Sequence, residues 1–244
     1  MISAAPVSLA DVLARPDVWR ANGLASATIP ALASGFAALD AELPGGGWPR
    51  GTLTEILSDR VGIGECSLMM PALTHLASSG KWSLLVAPPQ TLHAPAWTSS
   101  GINLARLIVV SPKRTNEALW ATEQALSSGA LGSVLCWATR IDARQVRRLE
   151  VAAAGSETVA FLFRPARARA ESSPCALRLL LSAGTRGRLA VELLKRRGPP
   201  CRNTLDLEVA RPLIWRQNND SQSALGRAAF PAPAARSERP AALA

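Results

Sequence analysis

The stretch Thr52-Leu53-Thr54-Glu55-Ile56-Leu57-Ser58-Asp59-Arg60-Val61-Gly62-Ile63-Gly64-Glu65-Cys66-Ser67-Leu68 decides the architecture. Thr52–Leu57 reads as a strand, the glycine-bearing segment after it as a loop, and Cys66–Ser78 as a helix. The same alternation continues. Strands are predicted at Trp82–Ala87, Arg106–Val110, Ser133–Ala138 and Thr158–Phe163. Between them fall a helix at Thr115–Ser128, closed by Gly129, and one from the N-cap Asp142 to Ala154, closed by Gly155. Near-continuous apolar strands separated by amphipathic helices predict a mostly parallel central sheet with helices on both faces. Ala176–Ser182, a turn at Ala183–Gly187 and Arg188–Lys195 then read as an antiparallel edge hairpin, with Thr204–Val209 as one more strand.

Outside this block the texture differs. Residues 1–32 read as an N-terminal helical arm, with Ser8 as N-cap and Leu9–Trp19 as the helix, and a linker rich in Ala, Ser and Pro spans 25–34. Residues 33–212 form the predicted core. Residues 213–244 are rich in Ala, Pro, Ser and Arg, the composition of a disordered tail. No apolar run approaches the roughly 18 residues of a membrane-spanning helix. The start lacks a basic segment followed by an apolar one, so no secretory signal is expected and the reading is a soluble, cytoplasmic protein.

Four separated cysteines and two histidines give neither a metal-ligand spacing nor a disulfide framework, and the thiols are expected buried or half-buried. The net charge of +9 is unevenly placed: residues 1–120 hold eight basic and eight acidic side chains, whereas 140–202 hold fourteen and five. Such a block points to a polyanion or an acidic partner surface. Arg144, Arg147 and Arg148 share one helical face opposite Val146, Leu149 and Ala153, either as a solvated face or as an interaction surface. Lys195-Arg196-Arg197 forms a second candidate surface. Trp82, Trp120 and Trp137 fall in strand or helix patterns and are expected in the core. Trp48 and Trp97, in loop-like sequence, are expected at a partner surface.

The segment 59–66 must also be tested against the phosphate-binding pattern G-x-x-x-x-G-K-[ST]. There, backbone N–H groups wrap the phosphates, a lysine reaches the terminal phosphate and a hydroxyl holds magnesium. Of Asp59, Gly62, Gly64, Glu65, Cys66 and Ser67, only Gly64 fits, and Glu65 reverses the charge at the lysine position. The loop reads as vestigial. No cofactor or metal is expected, and the chain is not expected to be an enzyme.

Several segments resemble the RecA recombinases in order along the chain: Ser34–Asp40, Gly45–Gly47, Pro49–Gly51, Ser100–Val109, Glu117–Leu119 with Leu126–Ala130, and Val191–Pro200. The resemblance implies a RecA-like core. It also marks what is missing, since Ala87-Pro88-Pro89 and Trp137-Ala138 stand where the catalytic carboxylates of such a core would be. More narrowly, LPGGGWPRG, VGIGECSL, VAPP, EALWATEQAL and LKRRG resemble the ImuA family, RecA-related accessory proteins of damage-induced (SOS) translesion synthesis, sometimes labelled SulA-like. That resemblance implies an ImuB-type polymerase homologue and an error-prone replicative-type polymerase as partners. RecA itself, docked through Leu13 and Trp19, and weakly bound non-specific DNA are further candidates. A nucleotide-dependent ATPase and a division inhibitor capping a cytoskeletal GTPase filament are the alternatives.

Overall fold

A computed structural model describes residues 30–201 and 203–210, all within one unit, Met1–Ala210. The predicted arm helix with Leu13 and Trp19, and the tail 213–244, lie outside the described residues. The strands are β1 (Ala31–Leu32), β2 (Trp48–Pro49), β3 (Thr52–Leu57), β4 (Ser83–Val86), β5 (Leu107–Val110), β6 (Ser133–Trp137), β7 (Val159–Arg164), β8 (Leu177–Ala183), β9 (Leu189–Lys195) and β10 (Leu205–Leu207). The helices are α1 (Ala37–Asp40), α2 (Glu65–Ser78), α3 (Ala94–Ser99), α4 (Thr115–Ser128) and α5 (Ala143–Ala153). Two residues from the stretch read as linker make β1, which pairs antiparallel with β2.

Eight strands form one sheet in the order β10-β9-β8-β3-β7-β6-β4-β5. The pairs from β8 through β3, β7, β6 and β4 to β5 are parallel, and β9 and β10 add an antiparallel edge. The α/β class, the parallel centre and the hairpin edge therefore stand as read from the sequence.

Strand alternation divides the core in two. Ile56, Leu85, Leu135, Phe161, Phe163, Leu179 and Val191 face one side, where Leu68, Met69, Leu73 and Leu76 of α2 cover them together with Trp97 of α3. Leu53, Leu84, Val86, Val134, Cys136, Ala160 and Leu162 face the other, under Ala118, Leu119 and Leu126 of α4 and Val146, Leu149 and Ala153 of α5. Burial on both faces explains why the central strands read as continuous apolar runs rather than alternating ones.

Besides this apolar packing, the α5 helix is hydrogen-bonded to the sheet through Glu150. β8 begins opposite Thr54, leaving the start of β3 open on that side. There the Glu150 carboxylate accepts hydrogen bonds from the Leu53 N–H at 2.7 Å and the Thr52 hydroxyl at 2.5 Å. Replacing Glu150 by alanine strands a buried backbone donor, a loss expected to cost about 1–3 kcal/mol. A thermal melt of Glu150→Ala within a degree of the parent would contradict this.

The tryptophan expectations are corrected on both sides. Trp48 is 0% exposed and meets Phe161 edge-on, ring centroids 5.1 Å apart, while Trp97 is buried in the same core as α2. Trp120 is 63% exposed, and Trp82 is partly exposed with the Arg106 guanidinium 5.2 Å from its ring centre. Only Trp137 sits against the core as expected, stacked on Phe163 at 4.5 Å. Among the described residues, no helix is long and apolar enough to cross a membrane.

Candidate functional site

In an open parallel sheet, ligands and partners enter where strand order reverses, beyond the carboxyl ends of the strands. Here the chain runs outward from β4 to β5 and returns to place β6 on the other side of β4. A cleft of about 420 Å³ opens at this point. Trp137, Phe163, Ala87, Pro89, Pro112 and Pro165 give it an apolar lining, and Arg60, Lys113 and Arg114 stand among its polar ones.

The loop between β3 and α2 forms one wall. Gly64 is the N-cap of α2 at φ +115°, and a Cβ there would lie 2.8 Å from Val209 Cγ2, so only glycine fits without displacement. The four free N–H groups of a helix start usually attract an anion. Here an internal carboxylate sits beside that start and is held by the loop and the N-cap. The Glu65 carboxylate, buried at the first turn of α2, accepts from the Gly62 N–H at 2.8 Å and the Gly64 N–H at 3.2 Å. Asp59 accepts from the Ala166 N–H at 3.1 Å and joins the same wall. A phosphate brought within 4 Å of Glu65 would meet a like charge costing about 4 kcal/mol per charge pair at an effective dielectric of ~20.

The Cys66 thiol is pushed up to about 12 by burial and then by the neighbouring Glu65 charge, so it stays protonated. Ser67 lies half-buried on α2, and His75 and His93 lie outside the cleft lining. The strand ends at Ala87 and Trp137-Ala138 supply no carboxylate. Among the described residues, no three of His, Cys, Asp and Glu converge as a metal site.

Beneath the cleft lies a feature that the sequence reading missed. Glu55, fully buried on β3, accepts from Arg164 Nη1 of β7 at 2.6 Å and from Arg178 Nε of β8. Arg164 Nη2 continues to Glu171 at 2.5 Å and to the Ile141 carbonyl at 3.0 Å. Arg178 Nη2 donates to the Ala168 carbonyl at 2.8 Å. Burial opposes the Arg164 charge, but its hydrogen bonds to Glu55 and Glu171 outweigh that and raise its pKa. The network fixes the short helical turn Ala166–Ala170 over the sheet beside the cleft.

This burial takes two side chains out of the basic block over 140–202, because Arg164 and Arg178 are inside the protein. Arg196 is also withdrawn from the candidate surface. Its side chain is 8% exposed, and the guanidinium donates to the Glu42 carboxylate at 2.5 Å, the Glu42 carbonyl at 2.6 Å and the Pro199 carbonyl at 2.7 Å. Lys195 donates to the Ser173 carbonyl at 2.9 Å. Arg197 is exposed. Arg144, Arg147 and Arg148 remain an exposed group on α5, where Arg148 pairs with Glu123 at 2.5 Å.

Residues 51–160, from β3 into β7, match the family model described as "Cell division inhibitor SulA". The chain is 31% identical over 102 residues to the cell division inhibitor SulA of Pectobacterium carotovorum subsp. carotovorum, covering 40% of this chain and 59% of that protein. It is 27% identical over 106 residues to that of Photorhabdus laumondii subsp. laumondii, covering 43% and 60%. For Salmonella arizonae the figures are 30% over 104 residues, 42% and 62%. The chain thus spans about three fifths of the length of these curated relatives. The description of the chain as an ImuA-type translesion-synthesis protein built round a degenerate P-loop is corrected here. The matching family is named for inhibiting cell division, and the polymerase partners inferred from the earlier resemblance are set aside.

Proposed function

We propose that this protein is a SulA-like inhibitor of cell division that acts by binding a protein partner and not by catalysis. The observation carrying the reading is the match to the division-inhibitor family over 51–160, the segment that builds most of the cleft and both helices of one face. The internal Glu65 anion supports the non-catalytic part, because its carboxylate takes the Gly62 and Gly64 N–H groups and would repel a phosphate brought to the same loop. The partner is a component of the division apparatus, with a filament-forming cytoskeletal GTPase as the first to test, in the setting of the DNA-damage response.

Two measurements check the two parts separately. Induced expression of the full chain in a rod-shaped bacterium is expected to lengthen cells several-fold within a few generations. Normal cell length at high expression would overturn the inhibitor reading. Calorimetric titration with ATP and magnesium is expected to show no binding, and micromolar binding would overturn the non-catalytic reading.

A further inference from the structure

The helices α4 and α5 bury Ala118, Leu119 and Leu126, and Val146, Leu149 and Ala153, against the sheet. Their outer faces carry an unusual mixture. Trp120 on α4 and Val151 on α5 are 63% and 65% exposed. Around them stand Arg144, Arg147 and Arg148. Two grooves run between the helices and share Glu123 and Arg148 as their common wall. One, of about 250 Å³, has Trp120 at its side, and the other, of about 540 Å³, has Arg144, Arg147 and Val151.

The pairing within this patch is unequal. Arg148 is held by Glu123 at 2.5 Å. Among the described residues, Arg144 and Arg147 make no hydrogen bond or ion pair through their side chains. Two uncommitted guanidiniums therefore flank an exposed valine, and a fixed ion pair separates them from an exposed indole. Tryptophan and arginine are the residues that most often dominate protein interfaces, and arginine recognises carboxylates through its planar fork. A nucleic-acid backbone fits the patch less well. The Glu123 carboxylate sits between the two grooves, and Val151 offers a phosphate nothing.

We infer that the α4–α5 face is a docking surface for an acidic amphipathic protein segment, which places an apolar side chain against Trp120 and carboxylates on Arg144 and Arg147. The surface lies apart from the β3–α2 loop and does not depend on the division-inhibitor reading. Charge complementarity selects this occupant. A neutral apolar helix would leave both arginines unused, and a purely acidic chain would leave Trp120 and Val151 wet.

The test uses the full chain and a fluorescein-labelled helical peptide bearing leucines along one stripe and glutamates elsewhere, read by anisotropy at low salt. Saturable binding is expected, weakened at least tenfold by Trp120→Ala and by the double variant Arg144→Glu with Arg147→Glu. A peptide of the same composition with the leucine stripe scrambled is expected to bind at least tenfold more weakly. Circular dichroism and melting of the variants should match the parent, since these side chains are exposed. No peptide binding, or equal binding by the scrambled peptide, would overturn the proposal. So would binding that ignores both variants. A labelled 20-mer of deoxythymidine binding tighter than the peptide, and lost in the same variants, would assign the face to nucleic acid instead.

Discussion

Glu55→Ala is expected to be the most damaging single substitution outside the apolar core, lowering stability by about 3–5 kcal/mol. The carboxylate is 0% exposed and bridges two guanidiniums that are themselves nearly buried. Removing it leaves Arg164 with Glu171, a residue half open to solvent, and leaves Arg178 with backbone carbonyls alone. Two like charges would then face each other in a poorly hydrated space. A domain stable by some 5–15 kcal/mol would lose much of its margin. Glu55→Leu should do no better than alanine, because it also strands both arginines. The triple variant Glu55→Leu, Arg164→Met, Arg178→Leu should recover much of the loss, as buried ion networks often exchange for apolar groups at little net cost. Urea titrations with matched slopes measure all three. A Glu55→Ala midpoint corresponding to under 1 kcal/mol would show that the network is more hydrated than its burial implies.

The distance between these partners explains why the sequence did not disclose them. Glu55 is 109 residues from Arg164 and 123 from Arg178, and within TLTEIL it reads as a mere interruption of an apolar strand. The strands and long helices were legible because local signals bound them. Asp142 caps α5 by accepting from the Gln145 N–H, and Gly129 closes α4 in the left-handed region, as their positions predict. α1, α3, β1 and β2 span only two to six residues, too short for periodicity to register.

Of the candidate site, Glu65 was visible as a charge beside the glycines, but its bonds to the Gly62 and Gly64 N–H groups, which hold the loop together, were not. The exposure of Trp120 was accessible in principle. At 100° per residue it stands roughly 145° from the mean direction of Ala118, Leu119, Thr122 and Leu126, the buried stripe of α4.

The second large effect follows from the other half of that inversion. Trp48 stands beside Gly45-Gly46-Gly47, a run that suggests an exposed turn. The glycines serve a close approach instead. A Cβ on Gly47 would lie 2.2 Å from the Leu32 carbonyl oxygen, so its absence lets β1 cross over and seal the indole against Phe161. Trp48→Ala should therefore open a large cavity in the core under α2, at a cost of about 3–5 kcal/mol. Trp48→Phe should cost only a fraction of that, because the indole Nε1 has no hydrogen-bond partner to lose among the described residues. Trp120→Ala, removing an equally large but exposed side chain, should stay within about 0.5 kcal/mol. Denaturant midpoints for the three variants, measured side by side, decide the assignment. Equal losses at positions 48 and 120 would mean that α4 packs its indole against something, and the docking face inferred on that helix would lose its anchor.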